Sequence, residues 1–482
     1  MDKVSYNMGI ATLSRGLIGF LSLIIVGILT RVLGPDGFGR YSTIFGYLYI
    51  FTAVADTGLY TIMIREISRI SDKKEEQKIA SKIFTLRLIL AGAVLIIANA
   101  LVFTMPYDMQ VKLGVLVASI FSLGSLLVQV LVAIFQKYLR LYWVSIFDIV
   151  SRLVQLAIIL VMVKLNASLI EFVLAVAISE IIHFVLIFIF SQKLVKIKLT
   201  IDLGYFKETL KTAIPIAISL VLVLIYFKLD TVLLSIMKPA HDVGVYSAAY
   251  KVLEMAIFLP AIYIGLIMPG LSRNAIKNTL EFLRIFRDAF NIISIFAFYF
   301  LVYVFLMSDW IIYFIGGDNF SSASHVLKIL SLAMFLIFFG NLGGNAIIAL
   351  NRQKKAMFIY LVGAVANVFL NIILIPKYSY FATAGVTLLT EAIIIYGMYW
   401  LLRKELRSVI GKSVFSKCLL AALIAGIVTM PLLDSFILAS LMSLAYFPLL
   451  VILGVFKIQD LKKIIFLKNQ ENTMVAETNT VL

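Results

Sequence analysis

Charged side chains sit inside long apolar runs in this sequence: Arg15, Asp56, Arg87, Asp148, Arg152, Glu180, Lys228, Asp230, Lys251, Glu254 and Glu391. Holding one such group in hydrocarbon costs on the order of 3 kcal/mol even on a lenient insertion scale, so each needs a partner or a wet cavity. Cations in that setting bind phosphate oxygens, and an arginine fork does so bidentately. Carboxylates there can take up and release a proton or a small cation. The set therefore suits binding and ion exchange rather than bond making. Gly411-Lys412-Ser413 lacks the upstream glycine of a phosphate-cradling GxxxxGK[ST] loop, and no HExxH zinc pattern occurs. His183, His241 and His325 complete no Ser/His/Asp set, and the one cysteine, Cys418, lies in an apolar run. No disulfide framework, metal centre or cofactor is expected, and ATP hydrolysis within this chain is excluded.

The residues that must position these groups are mostly apolar. A mean hydropathy of +1.04, with 62% apolar and 14% charged residues, leaves too little polar surface for a soluble chain of 482 residues. Lipid is then the solvent, and in lipid such runs can only be helices. About fourteen spans are expected, over 9–30, 41–64, 83–104, 113–136, 143–163, 168–190, 212–237, 246–268, 290–314, 326–349, 357–376, 384–402, 416–434 and 436–456. Of 42 Lys and Arg, 30 fall in loops on one side, six on the other and six inside spans. Positive residues stay on the cytoplasmic side during insertion, so both ends are expected there, in a multi-pass protein of the cell membrane. The first apolar stretch is full length and leads into a second, so no cleavable leader is expected. The net charge of +16 fits anionic lipid headgroups and gives no reason to expect nucleic acid. No loop is long enough to fold alone. The segment from Arg65 to Lys82 reads as a solvated helix, and the chain beyond Asp460 is polar.

Spacing separates the charges. Asp148 and Arg152 are four apart, and Lys251 and Glu254 three apart, so each pair can neutralise itself or serve a cavity. Arg15 and Lys228 have no opposite charge at those spacings and are expected to face a cavity or another helix. Arg15, Arg152, Lys228 and Lys251 are thus the candidate anion ligands, and Asp56, Glu180, Asp230, Glu254 and Glu391 the candidate ion-coupling or cavity carboxylates. Arg87 and Lys328 lie near span ends and are expected to snorkel. His183, one turn from Glu180, is expected to make an interhelical hydrogen bond. Tyr and Phe near span ends are expected to form interfacial belts, though Tyr226, Tyr250 and Tyr263 could stack on a ligand ring. Pro215 and Pro260 remove backbone hydrogen bonds, and Gly343 and Gly344 sit in the loose polar stretch Gly340–Asn345, so these four are the expected hinge or gate positions.

Two short matches recur at nearly one offset. Gly39-Arg40-Tyr41-Ser42 opens the second span and Gly244-Val245-Tyr246-Ser247 the eighth, 205 residues later. Ser179-Glu180 corresponds to Thr390-Glu391, 211 residues later. The expected architecture is an all-α membrane protein with two six-helix lobes related by a pseudo-two-fold axis (1–190 and 191–402), two further spans (403–456) and a cytoplasmic tail (457–482). Such repeats place a substrate path at their interface.

The turn Leu33-Gly34-Pro35-Asp36-Gly37-Phe38-Gly39-Arg40-Tyr41 resembles the LGPxxFGxY turn of the Wzx-type polysaccharide-unit flippases. Ala55-Asp56-Thr57-Gly58-Leu59, followed by Arg65-Glu66, resembles that family too. These flippases belong to the multidrug/oligosaccharidyl-lipid/polysaccharide exporter superfamily. The resemblance implies a two-lobed bundle with a cavity that opens alternately to either face. It implies a polyprenyl-diphosphate-linked oligosaccharide as cargo, moved from the cytoplasmic to the outer leaflet for surface polysaccharide assembly, with polymerase and assembly proteins as partners. Read physically, Pro35 fixes φ while Gly37 and Gly39 permit positive φ, so two helices reverse tightly. Rival readings are a multidrug exporter, a peptidoglycan-precursor flippase and, in another class, a membrane-embedded glycan polymerase or ligase. An enzyme of that last kind would be expected to carry a substantial external loop.

Overall fold

The computed structural model describes residues 3–406 and 412–455, with the side chains of 3–13, 15, 214–228, 276, 277 and 412 excepted. Every apolar run is helical, because lipid offers no water to a free amide or carbonyl. In chain order the helices are α1 (Lys3–Ala55), α2 (Leu59–Ser68), α3 (Lys73–Val102), α4 (Met109–Lys137), α5 (Leu141–Lys164), α6 (Leu169–Gln192), α7 (Leu203–Met237) and α8 (Ala240–Lys277). There follow α9 (Thr279–Leu306), α10 (Ser308–Gly316), α11 (Ser321–Ala349), α12 (Gln353–Leu401), α13 (Arg403–Leu406), α14 (Lys412–Thr429), α15 (Phe436–Ser443) and α16 (Tyr446–Ile452). Among the described residues ten helices are long and apolar enough to cross a membrane. Two of them, α1 and α12, double back at Gly34 and Ser379. With α7 and the pair α15–α16, the chain makes fourteen passes.

Helices overrun the apolar stretches that announce them, because side-chain caps hold their polar first turns. Asp72 accepts from the amides of Lys74 and Glu75, Asp108 from Val111, Asp202 from Tyr205 and Asn278 from Glu281. The expected solvated helix over Arg65–Lys82 is instead α2 and the start of α3, separated near Ile70 and Ser71. The ninth pass stops at Leu306, and the residues up to 316 form the separate short helix α10. Gly340–Asn345 is not a loose stretch. It stays inside unbroken α11, where Gly343 and Gly344 admit Tyr399, Met398 and Tyr360. Pro260, and Pro269 beyond it, likewise lie within continuous α8. Arg407–Gly411 and the tail from 456 onward lie outside the described residues.

Packing sorts the helices into two bundles. The first gathers α3, α4, α5 and α6 around the two arms of α1; the second gathers α7, α8, α9, α11 and α12; α14 leans on α9, and α16 packs on α14. The sharp reversal in α1 is made at Gly34, which has φ +64°, with Pro35 opening the next arm. That corrects the reading of Gly37 and Gly39 as positive-φ positions.

Gly39 has a different task. A Cβ on it would sit 1.7 Å from the Ala240 carbonyl oxygen, and one on Gly244 would sit 2.0 Å from the Pro35 carbonyl oxygen. Pro35 and Ala240 are themselves 205 residues apart, the same offset as Gly39 and Gly244. The repeat seen in the sequence is therefore the crossing point of α1 and α8, with the pseudo-two-fold axis running between two glycines. Gly39→Ala and Gly244→Ala are each expected to lower the melting temperature, with an overpacking cost of about 1–3 kcal/mol or more. Gly19→Ala, where no atom lies within 4 Å, should leave melting of the purified protein unchanged.

Candidate functional site

Between the bundles lies a cavity of about 550 Å³. Both arms of α1 contribute to it, through Ser22 and Leu29 on one side and Tyr41, Ser42, Tyr49 and Thr52 on the other. Helices α4 and α5 add Ser125, Arg152 and Gln155, and α8 adds Ser247, Tyr250, Lys251 and Glu254. Among the described residues the wall thus mixes two cations, one carboxylate, several hydroxyls and stacked or edge-on rings. Arg152 holds its own-helix neighbours, at 4.0 Å from Asp148 and 2.9 Å from the Gln155 side-chain oxygen. Lys251 meets Glu254 at 2.7 Å. Both predicted own-helix pairs therefore form, and Arg152, Lys251 and Glu254 also line the cavity. The side chains of Arg15, Pro215, Tyr226 and Lys228 lie outside the described residues, while Tyr263 is not part of this wall.

A second polar knot explains Asp56 and Arg87. The second arm of α1 ends at Ala55, and α2 resumes only at Leu59, with Gly58 at φ +68°. The fully buried Arg87 of α3 bridges this break. Its guanidinium donates to the carbonyls of Ala55 at 2.8 Å and Leu126 at 3.0 Å, to Asp56 at 3.2 Å, and to Gln129. Gln129 donates to the other Asp56 oxygen at 3.0 Å. Arg87 does not snorkel, because an orphaned carbonyl and a carboxylate in the interior hold it more strongly than headgroups could. Lys328, by contrast, reaches the rim and meets Asp309 at 3.0 Å.

In the second bundle Asp230 is buried among neutral donors. Asn371 donates to one oxygen at 2.8 Å, and Thr387 at 2.8 Å and Tyr246 at 3.4 Å donate to the other. Glu391 lines the same small cleft with Asn367 and Thr390. The Asn371 side-chain oxygen and the Asn367 side-chain nitrogen are buried there with no partner among the described residues. An oxygen-rich cluster with an orphaned acceptor fits a proton or a hard, oxygen-seeking cation. In the first bundle Glu180 packs against Gly124 and lies 3.5 Å from Nδ1 of His183. His183 Nε2 is buried with no protein partner, so the interhelical bond expected of it is not made among the described residues.

Two sets of contacts tie the bundles together. On the face carrying Gly34, Thr30 donates to the Ile315 carbonyl at 2.6 Å, and Arg31 to those of Phe314 at 3.0 Å and Tyr313 at 3.3 Å. Tyr107 meets Ser235 at 2.9 Å on the same face. On the basic face, the linker before α7 lies along α3: the amides of Lys198 and Thr200 donate to Ser81 and Thr85, one helical turn apart. Lys82 then pairs with Asp202 at 2.5 Å and sits over the Tyr205 ring. Helix α7 is thus anchored to the first bundle at its start and, through Asp230, to the second near its end.

Neutral groups were the ones sequence reasoning missed. Gln129, Asn367, Asn371, Tyr246 and Thr387 carry no charge, although Asn367 and Asn371, four apart in an apolar run, were a legible signal.

These features define a multi-pass membrane protein of two bundles around a polar cavity. A sequence model of the polysaccharide biosynthesis protein family matches residues 4–275, more than half of the chain, which therefore belongs to that family. The MatE family matches residues 215–373. Among solved structures, the lipid II flippase MurJ in an inward closed conformation is similar at a TM-score of 0.78 and 16% identity, over 93% of this chain and 99% of that one. A multidrug resistance MATE family transporter of the MOP superfamily, inward-facing, gives 0.67 and 14%, over 80% and 94%. A MOP superfamily transporter from Pyrococcus furiosus gives 0.56 and 15%, over 84% and 94%. The fold is that of these transporters. No curated protein matches by sequence.

Arg87→Met should cost about 3 kcal/mol or more, since it strands Asp56 and two carbonyls, and adding Asp56→Asn should restore part of the loss in a thermal melt. The Lys82 hydrogen bond, helped by the Tyr205 amide, holds the Asp202 carboxyl below the usual range, so the pair is intact at neutral pH and weakens only as pH falls through that lowered value. Asp202→Asn should free the linker and speed tryptic cleavage at Lys196 and Lys198 by about tenfold, whereas an unchanged rate would show that the two amide bonds suffice.

Proposed function

We propose that this protein is a flippase that carries a polyprenyl-diphosphate-linked oligosaccharide from the cytoplasmic to the outer leaflet by alternating access. The observation that carries this reading is the cavity wall: Arg152 and Lys251 offer cations to a diphosphate, while Tyr41, Tyr49, Tyr250 and the serines offer rings and hydroxyls to a glycan. A cationic drug would favour a wall dominated by carboxylates. The excess of Lys and Arg on one face supports placing that face, and both chain ends, in the cytoplasm. The Gly34 face is then external, and the contacts of Thr30, Arg31 and Tyr107 close it in this state.

Residues 1–190 and 191–402 are the bodies that rock, and the spans of 403–456 stand beside them. Helix α7, held by one body at each end, must bend between its anchors, and Pro215 lies within it. Arg15 and Lys228 extend the cationic path on the same reading. Asp230 is the ion-coupling carboxylate, with Glu391 beside it. A single charge moved through 100 mV supplies about 2.3 kcal/mol, enough to bias a two-state cycle. Glu180, Glu254 and Asp56 are secondary, because each already has a neighbour of opposite or shareable charge. Polymerase and assembly proteins would act on the product.

Complementation tests the reading in a strain lacking its polysaccharide flippase, with membrane level checked for each variant. Wild type should restore surface polymer, whereas Arg152→Gln, Lys251→Gln, Arg15→Ala and Lys228→Ala should each lower it by about tenfold, one contact's worth of binding. Asp230→Asn should remove the dependence on the ion gradient. Full restoration by all the cation variants would refute the cationic path, and drug efflux without polymer would refute the cargo.

A further inference from the structure

A second hollow, of about 420 Å³, lies away from the cavity, on the Gly34 face where α10 turns into α11. Its wall is formed by Asp309, Trp310, Tyr313, Asp318, Ser321 and Ser324. The rings are fixed in place. Trp310 donates its indole N–H to the Leu433 carbonyl at 2.8 Å and meets Tyr313 edge-on, at 90° and 6.3 Å between centroids. Phe436 braces Trp310 and Phe314 from behind. Tyr313 is 46% exposed, and among the described residues the exposed Asp318 makes no ion pair.

The chemistry of this wall selects a ligand class. Aromatic faces accept the C–H face of a pyranose, and carboxylate and serine oxygens accept from its hydroxyls. A phosphate would meet two lining carboxylates, Asp309 and Asp318, with no Lys or Arg among the described lining residues, and the nearby Lys328 is already held by Asp309 at 3.0 Å. An interfacial aromatic belt would account for the rings but not for acids and hydroxyls converging with them around one concave space. The position matters as well. Tyr313 gives its ring to the hollow and its carbonyl to Arg31, and the next two carbonyls of α10 hold α1.

We propose that this hollow is a saccharide subsite on the outer face, which takes one hexose or N-acetylhexosamine unit of a glycan as it leaves. The source of that glycan rests on the flippase reading; the binding itself does not. A bound sugar lies against the helix whose end closes the cavity from outside, so it contacts the bundle closure directly.

The test uses the full chain in lipid nanodiscs. Trp143→Phe and Trp400→Phe leave Trp310 as the remaining indole of three. Methyl glycosides of glucose, galactose, N-acetylglucosamine and N-acetylgalactosamine are titrated to about 100 mM, the weak range of a single sugar on an open site, with mannitol as the polyol control. A saturable change in Trp310 emission is expected with at least one glycoside and none with mannitol. Asp318→Asn and Tyr313→Ala, checked by size exclusion and thermal melt, should weaken it by about tenfold or more. Wild-type protein, read by saturation-transfer NMR, guards against a reporter background that does not fold. No saturable response by either readout, or an equal response in both folded variants, overturns the subsite. Failure here with successful complementation removes only the subsite, and binding without complementation removes only the cargo assignment.

Discussion

Everything between the two bundles depends on a place where no side chain stands. Gly39 and Gly244 let α1 and α8 cross backbone on backbone, each glycine making room for a carbonyl of the other helix. Side chains there would push the bundles apart by the size of a methyl group, and the cavity wall, which draws on α1, α4, α5 and α8, would no longer meet across its gap. The contact is also short and symmetric about the axis. It can serve as a pivot, because rotating two helices about a point of contact disturbs few other atoms there.

Away from the pivot, the structure settles its polar groups in two ways. Where a helix breaks, at Ala55–Gly58, a buried arginine satisfies the freed carbonyl and neutralises the acid beside it. That knot is self-contained. Asp230 is surrounded differently, by donors that carry no charge, beside an Asn371 acceptor and an Asn367 donor with no partner among the described residues. Asp56 is thus matched by a fixed positive charge, whereas Asp230 is held by neutral dipoles alone. The two acids looked equivalent in the sequence and have different neighbours in space.

Local physics made much of this legible. Fourteen apolar runs, a basic face and the own-helix pairs Asp148–Arg152 and Lys251–Glu254 follow from spacing and hydropathy alone. The Gly39/Gly244 repeat was visible, but a sequence shows that two segments are alike and not that they touch. Arg87 was misread because its depth was judged along its own helix, while the break it serves lies in another. Gly340–Asn345 looked loose by composition, yet in lipid an unwound turn finds no water, so Asn341 and Asn345 bond back to their own helix and the turn holds. Asn367, Asn371 and Gln129 carry no charge to mark them within an apolar run.

The closure of the Gly34 face rests on main-chain acceptors. Thr30 and Arg31 bind three consecutive carbonyls at the end of α10, and a carbonyl is the same whatever side chain its residue carries. Residues 313–315 can therefore be exchanged in evolution without loss of the latch, so long as the helix persists. On the proposed reading, recognition and closure occupy the same few positions yet draw on separate atoms. If the hollow takes a saccharide as proposed, a lineage that changes its glycan could retune the rings and acids of that corner while inheriting the main-chain contacts unaltered.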